Sequence, residues 1–400
     1  MNGMQFDVYI PTRVLFGAGK LERLATEKMP GKKALICVTE DKLMETLGIQ
    51  QRVISLLEKN QVESVVFDRV TPNPTRAGVM EAAGIAKENG CDFFIGLGGG
   101  SSIDTAKAAA IMMVNEGDLW DYASAGTGGR KEVKGAFPVV TITTTAGTGT
   151  ECDPWCVITN EVTREKLDFG LEAVYPVISI IDPELMLTLP YSLTCFQGFD
   201  ALFHAVECYI ATCGSEMSKL YSYEAIRLVC RYLPVLTERM KDRDRDIRGD
   251  LEARANISFA ANVLCGYAQS LAATISPHII GQCMGGLHGG FPHGATLIVT
   301  AEEYYKEVVG YLPEEFGRMA EAMGEDPSKY GEKDQGQAFV DGLVRLLDKT
   351  GMRSLAMSDF GIAEDELEKI ADISMGIGFD YDPYTLTRDQ VVGILKRSYK

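Results

Sequence analysis

Three polar residues interrupt the apolar stretch GFDALFHAVECYIA at 198–211. They are Asp200, His204 and Glu207, at i, i+4 and i+7, and on a helix they share one stripe. Apolar side chains cover nearly every other side and proline is absent, so the stretch reads as a buried helix. A carboxylate and an imidazole facing one way from such a helix are costly unless something satisfies them. Either they form a hydrogen-bonded core pair, or Asp200 and His204, one turn apart, are half of a metal site. The remaining histidines favour the metal. The chain has only four, and His278, His288 and His293 fall together in PHIIGQCMGGLHGGFPH. An aspartate with several imidazoles is an N/O ligand set that suits Fe(II), Zn, Mn or Co, and it lacks the thiolates of a structural zinc site.

A second kind of chemistry lies upstream. In GLGGGSSIDTAKAAA (96–110), Gly98, Gly99 and Gly100 let backbone approach a ligand closely, and Ser101 and Ser102 lead into a helix. The amides and positive dipole end of that helix would face an anion such as a pyrophosphate. TTTAGTGTE (143–151) is another Gly/Thr loop after a strand, rich in hydroxyls. Taken alone, either loop could be only a turn. Together they suggest a nucleotide held beside a metal.

The elements that must position these groups alternate in the first half of the chain. The opening, DVYIPTRVLFGAG, reads as a short strand pair ending in a Gly turn. Strand-like runs follow at 34–38, 62–67, 92–96, 138–143 and 177–181, with helical patterns between the earlier ones. That alternation predicts a mostly parallel, doubly wound sheet. From about residue 187 strands give way to helical patterns at 198–211, 215–240, 250–274, 312–323 and 335–350. Two domains are therefore expected, an α/β domain over 1–186 and an all-α domain over 187–400. The charge run KDRDRDIRGD (241–250) reads as a solvated turn.

Composition removes several classes of function. A net charge of −17 argues against nucleic acid or an anionic membrane as partner. No apolar run approaches the ~20 residues of a membrane-spanning helix, and MNGMQFDVYI has no signal-peptide pattern. Ten cysteines stand singly, mostly inside apolar segments, as expected of reduced thiols in a cytoplasmic protein.

Across nearly its whole length the sequence resembles the iron-containing, metal-dependent group III alcohol dehydrogenases. The resemblance is carried by RVLFGAG (13–19), PNPT (72–75), GGGSSIDTAK (98–107), TTAGTGTE (144–151), DPEL (182–185), GFDALFHAVECY (198–209), DLEAR (250–254) and FPHG (291–294). It implies an N-terminal dinucleotide-binding α/β domain, a C-terminal helical domain and an active cleft between them. It implies Asp200, His204, His278 and His293 as metal ligands, with His288 the competitor for the third place. It also implies NAD contacts from the loop Gly98–Ser102, with Asp104 in the same motif, and from Asn73, Thr144, Thr145, Thr148 and Lys166. Past the first long strand, Glu40, or Asp41 if an insertion falls earlier, can accept hydrogen bonds from a ribose diol and repel a 2′-phosphate, which predicts NAD(H) over NADP(H).

The function expected is hydride transfer between NAD(H) and a small alcohol or aldehyde whose oxygen a divalent metal polarises, Fe(II) first, Zn or Mn next. A homo-oligomer, often a dimer, is the family habit. Members often carry a histidine where Gln282 stands. Gln282 can orient water but cannot titrate, so His288 becomes the candidate proton relay. If 151–158 is extended, Asp153, Trp155 and Val157 share a face and would line a pocket for a small, polar, uncharged substrate. Glu207 is either structural, which is the preferred reading, or a support for a ligand. Two other functions compete. A cyclising lyase of the dehydroquinate synthase type would need clustered Lys and Arg, and the segments 198–211 and 278–294 contain none. A non-catalytic NAD or metal sensor would have no reason to keep all four candidate ligands.

Overall fold

The computed structural model describes residues 5–400. The first four residues of the stretch inspected for a signal sequence lie outside them. The described chain divides into two compact units, Tyr9–Thr188 and Leu189–Lys400, the latter including residues 5–8.

In the unit Tyr9–Thr188, eight strands are β1 (Arg13–Phe16), β2 (Lys33–Thr39), β3 (Glu63–Val70), β4 (Phe93–Gly98), β5 (Val139–Thr143), β6 (Trp155–Asn160), β7 (Glu165–Gly170) and β8 (Ile178–Ile181). The helices are α1 (Leu43–Thr46), α2 (Ile49–Lys59), α3 (Arg76–Asn89) and α4 (Gly100–Met112). Six strands form one sheet in the order β1-β8-β5-β4-β2-β3, and every pairing is parallel. Both faces are covered. Ala34, Ile36 and Val38 pack with Val53, Leu56 and Leu57 of α2, whereas Leu35 and Cys37 pack with Val79 and Ala82 of α3 and Ala106 and Ala109 of α4. Burial on two sides is why these strands read as continuous apolar runs rather than alternating ones.

Two details differ from the sequence reading. The opening segment is not a strand pair. Only β1 forms, and it joins β8 in parallel at one edge of the sheet; Pro11 just before it has no N–H for a ladder. The extended stretch after TTAGTGTE belongs to an antiparallel hairpin, β6–β7. Its turn is held by Asn160 Oδ1, which accepts from the amides of Val162 at 3.0 Å and Thr163 at 3.3 Å.

The unit Leu189–Lys400 is helical, with no strand among the described residues. It comprises α5 (Tyr191–Ile210), α6 (Glu216–Met240), α7 (Leu251–Ser258), α8 (Gly266–Leu271), α9 (Ser276–Leu287), α10 (His293–Val308), α11 (Pro313–Ala322), α12 (Gly336–Lys349), α13 (Leu367–Ile377) and α14 (Arg388–Ser398). Helix α5 starts seven residues before the expected start at 198. Pro190 stands at its N-cap, and Gly198 lies inside the helix because Leu233 fills the space a Cβ would need, at 2.7 Å. The expected helix 250–274 is interrupted by a π-helical stretch, Phe259–Cys265. Helices α9 and α10 are hidden in the sequence by six glycines from 281 to 294. The charge run 241–250 is not wholly solvated: Asp250 is buried, with Arg239 at 2.7 Å and Arg245 at 2.8 Å. No described helix is long and apolar enough to cross a membrane.

Candidate functional site

The polar stripe of α5 meets two other helices of its unit. His278 is in the first turn of α9 and His293 opens α10. Gly294 permits the approach of α10, because a Cβ there would stand 2.0 Å from the carbonyl oxygen of Phe196 on α5. Three imidazole nitrogens surround one carboxylate oxygen, Asp200 Oδ1. His278 Nε2 is 3.5 Å away, His293 Nε2 3.6 Å and His204 Nδ1 3.9 Å. The rings of His204 and His278 stack with centroids 4.3 Å apart.

These distances are long for hydrogen bonds, and Asp200 Oδ1 and His278 Nε2 are buried with no hydrogen-bond partner. Such orphaned atoms are expensive. Two ligand atoms each about 2.1 Å from one tetrahedral ion stand about 3.4 Å apart, so the spacing fits a shared cation. The ligand atoms of Asp200, His278 and His293 all lie within 4.8 Å of one another, and His204 adds a fourth from one helical turn below Asp200. His288 is elsewhere, with Nε2 3.0 Å from Glu366 Oε2. His278, not His288, therefore joins the cluster.

The electrostatics agree. Burial works against the Asp200 carboxylate, yet the imidazoles of His204, His293 and His278 hold it well below the usual carboxylate range. Burial also works against a charged His278, but Glu207 and Asp200 outweigh it and lift the imidazole to about 9.

Glu207 is more than structural filler. Its Oε1 lies 2.6 Å from His278 Nδ1, and its Oε2 accepts the Ile275 amide at 2.7 Å. A carboxylate at Nδ1 fixes the tautomer that leaves the Nε2 lone pair facing Asp200 once the second imidazole proton has gone. The signal was its i+7 place on the stripe, which the preference for a structural role undervalued. A second carboxylate had no sequence signal. Asp382 accepts from Ser276 N at 2.9 Å and Ser276 Oγ at 2.6 Å, capping α9 from 106 residues away in the chain.

The Gly-rich loop lies in the other unit, at the end of β4. Gly98 has φ +139, and a Cβ on Gly100 would stand 2.7 Å from the Thr148 methyl, so the two Gly/Thr loops touch. Thr144 N donates to Gly98 O at 2.9 Å, and Thr145 borders Gly99. Helix α4 begins at Gly100 with its first amides uncapped by any side chain. Ser101 is half-buried there, while the Ser102 hydroxyl is buried without a partner. An anion would satisfy these donors. Lys166 Nζ donates to Asn73 Oδ1 at 2.7 Å, which brings two more expected cofactor contacts together. Glu40 is exposed just past β2. Asp41 is partly committed, because its Oδ1 accepts from Thr39 Oγ1 at 2.8 Å and Leu43 N at 3.0 Å.

Two expected site residues serve the interior instead. Asp104 accepts from Thr150 Oγ1 at 2.9 Å and Val157 N at 3.0 Å, so both oxygens are used to hold β6 against α4. Asp153 lies before β6, and strand alternation does not reach it. Its side chain is buried, pairs with Lys107 Nζ at 3.2 Å and accepts Trp155 N at 2.8 Å. Both contacts fall on Oδ1, and burial keeps the group in the interior. Trp155 and Val157 are half-buried on one face of β6. Gln282 is half-buried on α9, one turn after His278.

Comparison with known proteins places this geometry. Residues 11–183 match the model of the iron-containing alcohol dehydrogenases, and residues 194–399 match the C-terminal domain model of the same family. The chain is 32% identical to alcohol dehydrogenase 4 of Schizosaccharomyces pombe, over 97% of this chain and 88% of that one. It is also 32% identical to choline dehydrogenase of Bacillus subtilis, over 92% and 88%. The crystal structure of NADH-dependent butanol dehydrogenase A from Thermotoga maritima superposes with a TM-score of 0.87, 29% identity and 99% coverage of both chains. Neither the cyclising lyase nor the sensor reading gains support from these relatives. With both of its halves matched and its two loops and ligand cluster in place, the chain belongs to the iron-containing alcohol dehydrogenase family and is an oxidoreductase acting on alcohols.

Proposed function

We propose that the protein is an NAD(H)-dependent, metal-dependent alcohol dehydrogenase or aldehyde reductase for a small substrate. The observation that carries this reading is the single buried oxygen, Asp200 Oδ1, ringed by three imidazole nitrogens at 3.5–3.9 Å. Asp200, His204, His278 and His293 would hold a divalent ion, Fe(II) first given the family, with Zn or Mn as alternatives. Bound, such an ion supplies Lewis-acid polarisation of the substrate oxygen, and the nicotinamide gives or takes the hydride.

The residues of the chain do the rest. Glu207 keeps the His278 proton on Nδ1, and Asp382 anchors the helix that carries His278. Gly98–Ser102, Thr144, Thr145 and Thr148 cradle the pyrophosphate, Asn73 and Lys166 contact the cofactor, and Glu40 takes the ribose diol. The region 1–186 is thereby the dinucleotide-binding domain and 187–400 the metal-binding one. Gln282 orients water, and His288, paired with Glu366, relays the proton. Trp155 and Val157 restrict substrate size. Ten cysteines, mostly buried, fit a reducing, cytoplasmic setting, and the family resemblance favours a homo-oligomer, a dimer first. The test is a panel of alcohols and aldehydes with NAD(H) and NADP(H), using protein reconstituted with Fe(II), Zn(II) or Mn(II). Metal-dependent turnover of simple alcohols with NAD(H) supports the reading; no turnover with any metal refutes it.

A further inference from the structure

Directly opposed residues of an antiparallel pair share a face. In the hairpin, Cys156 opposes Phe169 and Ile158 opposes Leu167, and all four are buried in the apolar cluster. The pairs Trp155–Gly170, Val157–Asp168 and Thr159–Lys166 therefore lie on the opposite face. A Cβ on Gly170 would stand 1.8 Å from a ring carbon of Trp155. The indole is thus laid across β7 where that side chain is missing, and Asp168 follows two residues away on the same face.

Asp168 is exposed. Among the described residues no lysine or arginine forms an ion pair with it, and desolvation raises its carboxyl above the usual range. Lys166, the cation on the same face of β7, gives its Nζ to Asn73. The carboxylate the sequence offered for this face, Asp153, is interior and neutralised by Lys107. What the face presents is one uncompensated carboxylate beside one indole, with Val157 directly opposite the carboxylate.

We propose that Asp168 and Trp155 form a recognition pair for a substrate with its own positive charge: a short amino or quaternary-ammonium alcohol, or the matching aldehyde. This rests on the dehydrogenase reading and names its substrate class. A quaternary ammonium has no N–H to donate, so it is held by an aromatic face and a nearby negative charge. Val157 supplies an apolar contact for its methyl groups. The same carboxylate repels aldehydes that carry a carboxylate or sulfonate. The substrate selected is small, as the bulk of Trp155 suggests, but cationic rather than uncharged.

The test compares two alcohols of nearly equal shape with the metal-loaded enzyme and NAD+: trimethylammonio-ethanol and its neutral tert-butyl carbon isostere. The expected result is a kcat/KM ratio favouring the cation by about tenfold or more, the scale of one charge contact joined to one cation–π contact. Asp168→Asn should remove most of that preference through KM and leave the neutral alcohol within about twofold, as suits an exposed substitution. A second readout needs no turnover. The chain has two tryptophans, so in a Trp120→Phe background the fluorescence is that of Trp155. Adding trimethylammonio-ethanol should change it, and should do so much less once Asp168→Asn is added. A parent with no preference for the cation, or a ratio unchanged in Asp168→Asn, overturns the recognition pair while the dehydrogenase reading stands. If no simple alcohol is turned over with any metal, the dehydrogenase reading fails and this proposal falls with it.

Discussion

Glu207→Gln is the most informative single change at the metal centre. The wild-type carboxylate accepts two hydrogen bonds, from Ile275 N at 2.7 Å and from His278 Nδ1 at 2.6 Å. A glutamine has one acceptor oxygen and one NH2 group. If the oxygen keeps the Ile275 amide, the NH2 faces Nδ1 and drives the His278 proton to Nε2, the nitrogen that must bind the ion. If the oxygen keeps His278, the NH2 meets the Ile275 amide and leaves a buried donor unmet, at a cost of about 1–3 kcal/mol. Metal affinity should fall about 10–100-fold, equivalent to about 1.4–2.8 kcal/mol, so the two routes agree in size. The assay is chelator competition for Fe(II) or Zn(II) at fixed pH, with thermal melting of the metal-free protein as a control for folding. Unchanged affinity in a folded variant would refute the claim that Glu207 sets the tautomer of His278.

The remaining predictions concern pH, cofactor choice and the proton. The His278 imidazole is raised to about 9 in the metal-free protein, so its proton is bound below that pH and must leave when an ion binds. Apparent metal affinity should therefore drop by about tenfold per pH unit as pH falls below about 9, and a flat profile would exclude that linkage. Glu40→Gln should narrow the preference for NADH over NADPH by about tenfold, because the group that repels a 2′-phosphate loses its charge; equal use of both cofactors by the parent would remove Glu40 from that role. His288→Gln should lower turnover more than about tenfold and flatten one limb of the pH–rate profile, while an unchanged profile would show that water alone moves the proton.

What could be read from the sequence follows from where each group sits in the chain. The stripe Asp200–His204–Glu207 was legible because its spacing is fixed by a single helix. The parallel sheet was legible because strands buried on both faces must be apolar throughout. Helices α9 and α10 were not, because glycines from 281 to 294 dilute the periodic signal, and two of them are needed for close helix packing, Gly281 against Thr296 and Gly294 against Phe196. Asp153 was misjudged because alternation was extended past the start of a strand that begins at Trp155. Asp104 looked like part of a phosphate motif, yet its carboxylate is used by Thr150 and Val157, far along the chain. Asp168 was invisible until the register of β6 on β7 set it opposite Val157. Asp382 had no local signal at all, since its partner Ser276 is 106 residues away.

The most direct measurement of the central claim is anomalous X-ray diffraction at the iron edge from crystals of Fe(II)-loaded protein. One strong peak is expected, about 2.0–2.2 Å from an Asp200 carboxylate oxygen and from one nitrogen each of His204, His278 and His293, with Glu207 still on His278 Nδ1. A peak bound by His288 instead, or no peak within this cluster, would contradict it.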